Sequence, residues 1–329
     1  MGIRIAGVGS YAPEKVLTNF DLEKMVETSD EWIRTRTGIR ERHIAADDQV
    51  CSDLATSAAE KALAMAGLSA AEIDFILVAS ISGDHVFPST ACVVQSKIGA
   101  ANAGCLDIQA ACSGLLYGME VASGLLRGHK KYNNILVIGA EKLSMIVDWE
   151  DRNTCVLFGD GAAALIVQKT ADDEPLFMAS EVKADGNYGK ILQLPAGGSA
   201  IPASHKSVDE RLHYMRMEGQ EVFKLAVNGM VGSCRKVLDE AGITADQIRW
   251  LIPHQANYRI LKAVASRLGI PEDNVFMNLD RYGNTSAASI GLCIDEMVND
   301  KLVKNGDYIL LTAFGGGLTF GAMLLKWNM

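Results

Sequence analysis

Two stretches of the chain share one pattern: Gly67-Leu-Ser-Ala-Ala-Glu-Ile-Asp-Phe-Ile-Leu-Val78 and Gly242-Ile-Thr-Ala-Asp-Gln-Ile-Arg-Trp-Leu-Ile252. An apolar helix is predicted before each glycine, over residues 51–67 in the first copy and 222–242 in the second. Glycine is a favourable residue at the C-terminal cap of a helix, and the residues after it predict a short turn into an apolar strand. The chain therefore carries the same helix–turn–strand unit twice.

The pattern continues beyond these units. Cys105-Leu-Asp-Ile-Gln-Ala-Ala111 leads into a helix and then the strand Asn134-Ile-Leu-Val-Ile-Gly139. Its counterpart is the strand Val275-Phe-Met-Asn-Leu-Asp280, a helix, and the strand Tyr308-Ile-Leu-Leu-Thr-Ala313. Continuously apolar strands that alternate with helices favour parallel strands covered on both faces. We therefore predict a duplicated α/β fold; the alternative is a chance similarity between two α/β halves.

The duplication predicts a pseudo-twofold axis between halves 1–173 and 174–329. Superposing them places Cys112 opposite Asn284, each after a strand and at the start of a helix. Loops at the carboxyl ends of such strands are where α/β sheets usually bind ligands.

Composition limits the class of protein. The chain has 329 residues, 49% apolar and 22% charged, which is typical of a globular protein. Its net charge of −9 argues against a general nucleic-acid binder. No apolar run is long enough for a membrane span, and the N-terminus lacks the features of a signal peptide, so we expect a cytoplasmic protein. The seven cysteines include no C-x-x-C pair, and no His and acidic cluster has metal spacing, so we expect neither disulfides nor a metal.

Cys112 lies in Gln109-Ala-Ala-Cys-Ser-Gly114, at the start of an apolar and therefore buried helix. The positive end of the helix dipole favours a thiolate there, and the small neighbours would let a substrate reach the sulfur. The alternative is that Cys112 is a purely structural residue, and the residues described below decide between the two roles.

Two further polar residues follow predicted strands. His254, in Ile252-Pro-His-Gln-Ala-Asn257, can donate an N–H to a developing oxyanion if the helix that follows keeps it neutral. Asn284, in Arg281-Tyr-Gly-Asn-Thr-Ser-Ala-Ala-Ser289, can supply an uncharged amide donor, as a decarboxylation site needs beside its histidine. A structural role remains the alternative for the histidine, and a helix cap for the asparagine.

Phe314-Gly-Gly-Gly-Leu-Thr-Phe-Gly321 follows a strand but departs from the known phosphate-binding patterns. Its glycines would let backbone N–H groups approach a ligand, as an oxyanion hole requires; a plain hairpin turn is the alternative. Gly159-Asp160-Gly161 is better explained as a turn than as a hydrolase acid.

The helix after His254 has a basic face formed by Arg259, Lys262 and Arg267. Such a face is usually only solvated, but beside an active-site loop it could dock an acidic carrier.

With Cys112, His254, Asn284 and the glycine triplet, the chain resembles the β-ketoacyl-acyl-carrier-protein synthase III family over essentially its whole length. The resemblance implies a thiolase-like α/β fold with duplicated halves and mixed, mostly parallel sheets in α-β-α-β-α layers. It implies a two-step reaction without cofactor: Cys112 takes a short acyl group from acyl-CoA, and malonyl-acyl-carrier protein then condenses with it, losing CO2.

The resemblance also implies roles for individual residues. The backbone N–H groups of Cys112 and Gly316 would form the oxyanion hole, and His254 and Asn284 would stabilise the enolate. Phe87 would reach the acyl pocket of a partner subunit, which implies a homodimer. The CoA contacts would be Thr28, Trp32, Arg36 and Arg152, and the carrier-docking residues Lys224, Arg259, Lys262 and Arg267.

The segment from Ala196 to His213 looks longer than is usual in the family, which leaves the preferred acyl length open. The main alternative is a related enzyme of secondary metabolism that uses another primer. A non-catalytic acyl-binding subunit would not need Cys112, His254 and Asn284. A degradative thiolase needs a second cysteine near the C-terminus, and none follows Cys293.

Overall fold

The computed structural model describes residues 2–170 and 176–329. Its strands are β1 Gly2–Tyr11, β2 Lys15–Thr18, β3 Glu41–Ile44, β4 Phe75–Ala79, β5 Gly104–Ile108, β6 Asn134–Glu141, β7 Gly161–Thr170, β8 Phe177–Ala184, β9 Leu192–Gln193, β10 Arg216–Met217, β11 Ile248–Pro253, β12 Tyr308–Gly315 and β13 Thr319–Lys326. Its helices are α1 Asn19–Leu22, α2 Asp30–Thr37, α3 Cys51–Ala66, α4 Thr90–Ile98, α5 Gly114–Gly128, α6 Arg152–Cys155, α7 His205–Asp209, α8 Gly219–Ala241, α9 Tyr258–Leu268, α10 Leu279–Tyr282 and α11 Ser289–Asn299.

Two mixed sheets form the core. The first has the order β1-β7-β6-β4-β5, and the second has the order β8-β13-β12-β11. α5 lies between the sheets and contacts both, α3 covers the outer face of the first, and α8 covers the outer face of the second. The predicted α-β-α-β-α layering is therefore confirmed, and it explains why β6 is buried along its whole length.

The two sheets are related element by element, which confirms the duplication. β1, β7, β6 and β4 occupy the positions of β8, β13, β12 and β11, with the same strand directions. The counterpart of β5 is reduced to one parallel bridge between Leu251 and Val275, where a full strand was expected. The predicted boundary between residues 173 and 174 lies outside the described residues, between β7 and β8.

The sheets are less parallel than expected. β4 pairs in parallel with β5 and β6, and β11 with β12, whereas β1–β7, β6–β7, β12–β13 and β8–β13 are antiparallel. The connection between β12 and β13 is residues 316–318, which is too short for the crossover that a parallel pair needs. The apolar runs in the sequence predicted which strands are buried, but they did not predict the directions of those strands.

The superposition of Cys112 on Asn284 is wrong by three residues. In the first half a 3₁₀ turn at 111–113 leads into α5, and in the second a 3₁₀ turn at 286–288 leads into α11. Ala111 and Ser286 open these turns with matching positive φ angles of 45° and 49°. Cys112 therefore corresponds to Ala287, because α10 and its loop add residues between the bridge at Val275 and the second turn.

No helix among the described residues is long and apolar enough to cross a membrane.

Candidate active site

Cys112 lies in the 3₁₀ turn that opens α5, as the sequence predicted. The residue before it, Ala111, has a φ of 45°, a left-handed conformation that costs energy in any residue with a Cβ. The turn is held in place by β13, because the Thr319 hydroxyl donates to the carbonyl of Ala110 at 2.9 Å. The nucleophile candidate is therefore fixed by contacts from the second half of the chain.

The glycine loop meets this turn directly. A Cβ on Gly315 would lie 2.8 Å from both the Ala110 carbonyl oxygen and the Cys112 amide nitrogen, so only glycine fits there. The loop is also a β-hairpin, in which Gly315 pairs with Thr319. The glycine loop is thus both a hairpin turn and a site of close backbone approach. Gly316 lines a cavity that Cys112 also lines.

The resting state of Cys112 differs from the expectation. Burial raises the pKa of the thiol to about 12, and repulsion from the Glu141 carboxylate adds to this, although the nearby Ser286 hydroxyl acts the other way. Burial outweighs the helix dipole, whose effect amounts to about 1 kcal/mol in ordinary settings. Cys112 is therefore a thiol at rest and must lose its proton during a reaction.

His254 follows β11 and is buried, with its backbone N–H bonded to the Thr312 carbonyl at 2.8 Å. Burial lowers the pKa of its imidazole to about 3, so the side chain is neutral, as predicted, although for a different reason. Its Nδ1 lies 2.7 Å from the Ser289 hydroxyl. If that hydroxyl donates to Nδ1, the ring carries its proton on Nε2 and can donate it to a ligand.

Asn284 is oriented by its own loop. Its backbone N–H bonds the Leu157 carbonyl at 2.8 Å, and its carbonyl accepts the Gly159 N–H at 3.0 Å. The side-chain Oδ1 accepts the Ser286 N–H at 2.8 Å. Because that oxygen is occupied, the amide's amino group remains as a donor on the wall of the cavity that His254 also lines.

Cys112 lies between two cavities. The smaller one, about 520 Å³, is lined by Cys112, His254 and Asn284 and extends to Trp32 and Arg36. The larger one, about 690 Å³, begins at Cys112 and is lined mainly by apolar side chains. Cys112 thus borders an apolar pocket and also a second cavity whose wall carries the polar side chains of His254 and Asn284.

Of the four residues predicted to contact CoA, Trp32 and Arg36 line the smaller cavity. The guanidinium groups of Arg36 and Arg152 lie 4.8 and 5.2 Å from the Trp32 ring centroid. Arg152 also donates to the Glu27 carbonyl at 2.8 Å. The neighbouring Thr28 has a buried hydroxyl without a hydrogen-bond partner among the described residues.

The basic face is exposed, but its residues are partly engaged. Lys262 pairs with Glu272 at 3.2 Å, and Arg267 bonds the Asn228 side chain at 2.7 Å. Arg259 donates to the Thr35 carbonyl at 3.2 Å, which places it beside α2 and the mouth of the smaller cavity. Lys224, on α8, is exposed.

Comparisons with known proteins agree with this geometry. A family model described as 3-oxoacyl-[acyl-carrier-protein] synthase III matches residues 106–186, and the model of its C-terminal part matches residues 238–327. A β-ketoacyl-[acyl-carrier-protein] synthase III of Caldanaerobacter subterraneus is 53% identical over 324 residues, which are 98% of this chain and 97% of that protein. The chain belongs to the β-ketoacyl-acyl-carrier-protein synthase III family.

Solved structures extend the comparison. The 3-oxoacyl-[acyl-carrier-protein] synthase III of Aquifex aeolicus is 48% identical with a TM-score of 0.91, covering 99% of this chain and 100% of that one. The priming β-ketosynthase of the R1128 polyketide pathway has the same TM-score at 32% identity, covering 99% and 96%. The chain therefore has the thiolase-like fold of this synthase family and is a condensing acyltransferase.

The segment from Ala196 to His213, which we expect to be longer than is usual in the family, borders the larger cavity. Ala196, Gly197, Gly198 and His213 line it, and α7 lies between them in sequence. Phe87 does not line it and is 85% exposed on the surface of the single chain. The role expected for Phe87 in a partner subunit stays a prediction.

Sequence reasoning missed three buried side chains around the synthase site: Ser286, Ser289 and Glu141. The two serines lie within the quoted Asn284 motif but were not assigned a task. Glu141 could have been noticed as the charged end of an apolar strand, because such an end is costly to bury. Asp160, in contrast, is structural, since it accepts hydrogen bonds from Ala45 and Ser144.

Across the residues described, no three His, Cys, Asp or Glu side chains are grouped so that they could hold a metal ion.

Proposed function

We propose that this chain condenses a short acyl group, taken from acyl-CoA onto Cys112, with malonyl-acyl-carrier protein and thereby starts fatty-acid synthesis. Acetyl-CoA is the primer we expect. One observation carries the proposal: a single sulfur separates an apolar pocket from a channel that presents two uncharged donors, His254 and Asn284. No cofactor is required, because the loss of CO2 drives the condensation.

In the first step the sulfur of Cys112 attacks the thioester carbonyl. The new C–S bond forms while the carbonyl electron pair moves to oxygen, and the bond to the CoA sulfur then breaks, releasing CoA as a thiol. The backbone N–H groups of Cys112 and Gly316 are the proposed donors to the oxyanion. The tight contact of Gly315 with the Cys112 amide supports this, because it fixes the two N–H groups relative to each other.

In the second step the malonyl thioester loses CO2, and the electron pair of the broken C–C bond moves into the thioester as an enolate. His254 and Asn284 are proposed to donate to the enolate oxygen. Because burial keeps the imidazole neutral, His254 donates without protonating the enolate. The enolate carbon then attacks the acyl group, the bond to the Cys112 sulfur breaks, 3-oxoacyl-carrier protein leaves, and the sulfur takes a proton from water to become a thiol again.

The proposed CoA contacts are Thr28, Trp32, Arg36 and Arg152. Two guanidinium groups against one indole form a cationic, aromatic surface at the channel mouth, which suits an adenine with phosphates. Malonyl-carrier would use the same channel, because its acyl group must also reach His254. The exposed basic residues Lys224, Arg259, Lys262 and Arg267 are the proposed contacts for an acidic carrier.

A homodimer is part of the proposal. β5 is an edge strand of the first sheet, and its Leu106 is 46% exposed. Such edges are usually covered, and a second copy would cover this one. Val86 and Phe87 are 95% and 85% exposed, and Phe87 is proposed to enter the acyl pocket of the partner. All seven cysteines are free, which agrees with the cytoplasm as the proposed compartment.

A priming role in secondary metabolism is the second candidate. It is favoured by the segment around Ala196 and His213, which shapes the acyl pocket. A similar chain from a polyketide pathway also adopts this structure. Acyl-CoA substrates of increasing length and branching distinguish the two candidates, because a fatty-acid primer enzyme should prefer short chains.

The proposal is tested by product formation. Wild-type protein with acetyl-CoA and malonyl-carrier should release CO2 and form 3-oxobutanoyl-carrier, whereas Cys112→Ala should form none. Product formation by Cys112→Ala, or its absence from wild type with every acyl-CoA tried, would overturn the proposal.

A further inference from the structure

Glu141 is a buried carboxylate for which condensation has so far given no task. It ends β6, is completely buried, and takes part in no salt bridge within the described parts of the chain. Its Oε2 accepts hydrogen bonds from the Ser82 hydroxyl at 2.5 Å, the Ile81 N–H at 3.1 Å and the Ser80 hydroxyl at 3.2 Å. An unpaired buried charge is costly. Oε2 alone makes all three hydrogen bonds to residues 80–82, so holding that loop does not explain the second carboxylate oxygen.

The other oxygen points to the nucleophile. Oε1 of Glu141 accepts the Ser286 hydroxyl at 2.9 Å, and the same hydroxyl lies beside the Cys112 sulfur, where it lowers the pKa of the thiol. Ser286 and Cys112 both line the larger cavity. The sulfur, one hydroxyl and one carboxylate therefore lie in a row, and the hydroxyl is hydrogen-bonded to the carboxylate.

The backbone of Ser286 is strained where this line passes. Its φ of 49° lies in the left-handed region, which serine adopts at a cost. The equivalent residue of the first half, Ala111, adopts a φ of 45° and has no hydroxyl. The turn geometry therefore does not require a hydroxyl group. What the hydroxyl of Ser286 adds is its position between the Cys112 sulfur and the Glu141 carboxylate.

We propose that Glu141 accepts the proton of the Cys112 thiol through the Ser286 hydroxyl during acyl uptake, which rests on the proposed role of Cys112. As sulfur attacks the thioester, its proton moves to the Ser286 oxygen while the hydroxyl proton of Ser286 moves to Oε1. When the intermediate collapses, the bond to the CoA sulfur breaks, and the proton returns along the same line to that sulfur. CoA leaves as a thiol, and Glu141 is a carboxylate again. Glu141 is thus a positioning residue that acts through Ser286.

Charge balance supports this route. If the thiol lost its proton to solvent, a thiolate and a carboxylate would both be buried in one site. Transfer along the line keeps a single negative charge, so the repulsion that helps to raise the pKa of Cys112 disappears as the proton moves. Burial also raises the pKa of Glu141 to about 7, which makes it a better proton acceptor than an ordinary carboxylate.

The other titratable groups around the site stay in one form near neutral pH. The Cys51 thiol, on α3, faces Glu141 and has a strongly raised pKa because of burial, so it keeps its proton. His254 has a pKa lowered to about 3 and stays neutral. Lys142 follows Glu141, but its Nζ bonds the backbone carbonyls of Ala46 and Gln49. A titration near pH 7 in the acylation step is therefore assigned to Glu141.

The chain allows a matched set of variants. In Glu141→Gln the amide oxygen can keep the three donors of residues 80–82, while the amino group faces Ser286 as a donor and cannot accept a proton. Ser286→Ala removes the relay and leaves the carboxylate. Ser82→Ala is the control, because it removes one hydrogen bond to Glu141 without touching the line to Cys112.

The experiment follows acetylation of the full-length protein by acetyl-CoA, as intact mass against time, from pH 5.5 to 9. The wild-type rate should rise through about pH 7 and then level off. Glu141→Gln and Ser286→Ala should each be about 100-fold slower at pH 7.5, within the usual range for general bases, and should keep rising with pH. The double variant should be no slower than either single one. Ser82→Ala should keep the fast plateau of the wild type, but its profile should shift to higher pH, because the lost hydrogen bond lowers the pKa of Glu141, and its melting temperature should be lower.

A wild-type profile in Glu141→Gln or in Ser286→Ala, or losses that multiply in the double variant, would overturn the relay. If Glu141→Gln does not fold, the profile of Ser286→Ala decides alone. Acetylation of Cys112→Ala would instead contradict the proposed function. If Cys112→Ala is not acetylated but Glu141→Gln is acetylated with the wild-type profile, the relay is refuted while the proposed role of Cys112 stands.

Discussion

Replacing Gly315 by alanine tests the contact between the glycine loop and the nucleophile turn. The added methyl would lie 2.8 Å from the Ala110 carbonyl oxygen, the Cys112 amide nitrogen and the Thr319 hydroxyl. Two of these atoms are backbone and cannot rotate away, so the turn and the loop must separate. Overpacking of this kind costs about 1–3 kcal/mol. For a chain of 329 residues that corresponds to a melting temperature lower by about 1.5–4 °C.

The effect on catalysis should be larger than the effect on stability. The displaced Cys112 amide is a proposed oxyanion donor, and loss of one such donor slows acyl transfer by about 10²–10³-fold. We therefore expect Gly315→Ala to be acetylated by acetyl-CoA at least about 100-fold more slowly than wild type, measured as intact mass against time. Thermal unfolding of the same samples gives the stability change.

Gly124→Ala is the matched control, since it adds the same methyl group to α5. No atom outside the helix lies within 4 Å of that position, and alanine favours a helix over glycine. It should melt at or above the wild-type temperature and be acetylated at the wild-type rate. If Gly315→Ala is acetylated as fast as Gly124→Ala, the close contact does not position the nucleophile, and the reasoning is refuted.

Three further predictions concern the second step and the carrier. His254→Ala and Asn284→Ala should each still form acyl-protein by mass but release CO2 from malonyl-carrier at least about 100-fold more slowly, and loss of acylation instead would reverse their assignment. CO2 release by acylated protein should show no titration near pH 6.5, because burial holds the pKa of His254 at about 3; a drop in rate below pH 6.5 would contradict this. Lys224→Glu should raise the KM for malonyl-carrier about tenfold and leave that for acetyl-CoA unchanged, whereas Lys304→Glu, before β12 at the opposite end of the sheet, should change neither.

The layered fold could be predicted from local patterns. The glycines after the two long helices and the apolar strands behind them marked equivalent units, and the structure confirms both copies. Strand direction could not be predicted in this way, because β12 and β13 are antiparallel only on account of their short connection. The correspondence of Cys112 with Ala287 was also missed, since α10 shifts the second half by residues that have no counterpart in the first.

The site was predictable as a set of residues but not in its electrostatics. Cys112 follows β5 of the first sheet, His254 follows β11 of the second, and Asn284 follows α10, so the packing of the two sheets brings the three residues together. The state of Cys112 depends on distant residues: burial by both sheets and the carboxylate of Glu141 outweigh the helix end that the local sequence shows. The neutrality of His254 likewise comes from burial, which only the complete fold provides.

The central claim is that Cys112 carries the acyl group until malonyl-carrier arrives. Peptide mapping by mass spectrometry after a brief reaction with acetyl-CoA should find the acetyl group on the peptide that contains Cys112. Adding malonyl-carrier should remove it and yield CO2 and 3-oxobutanoyl-carrier in equal amounts. An acetyl group found instead on the exposed Cys92, or one that persists on Cys112 while product forms, would contradict the account.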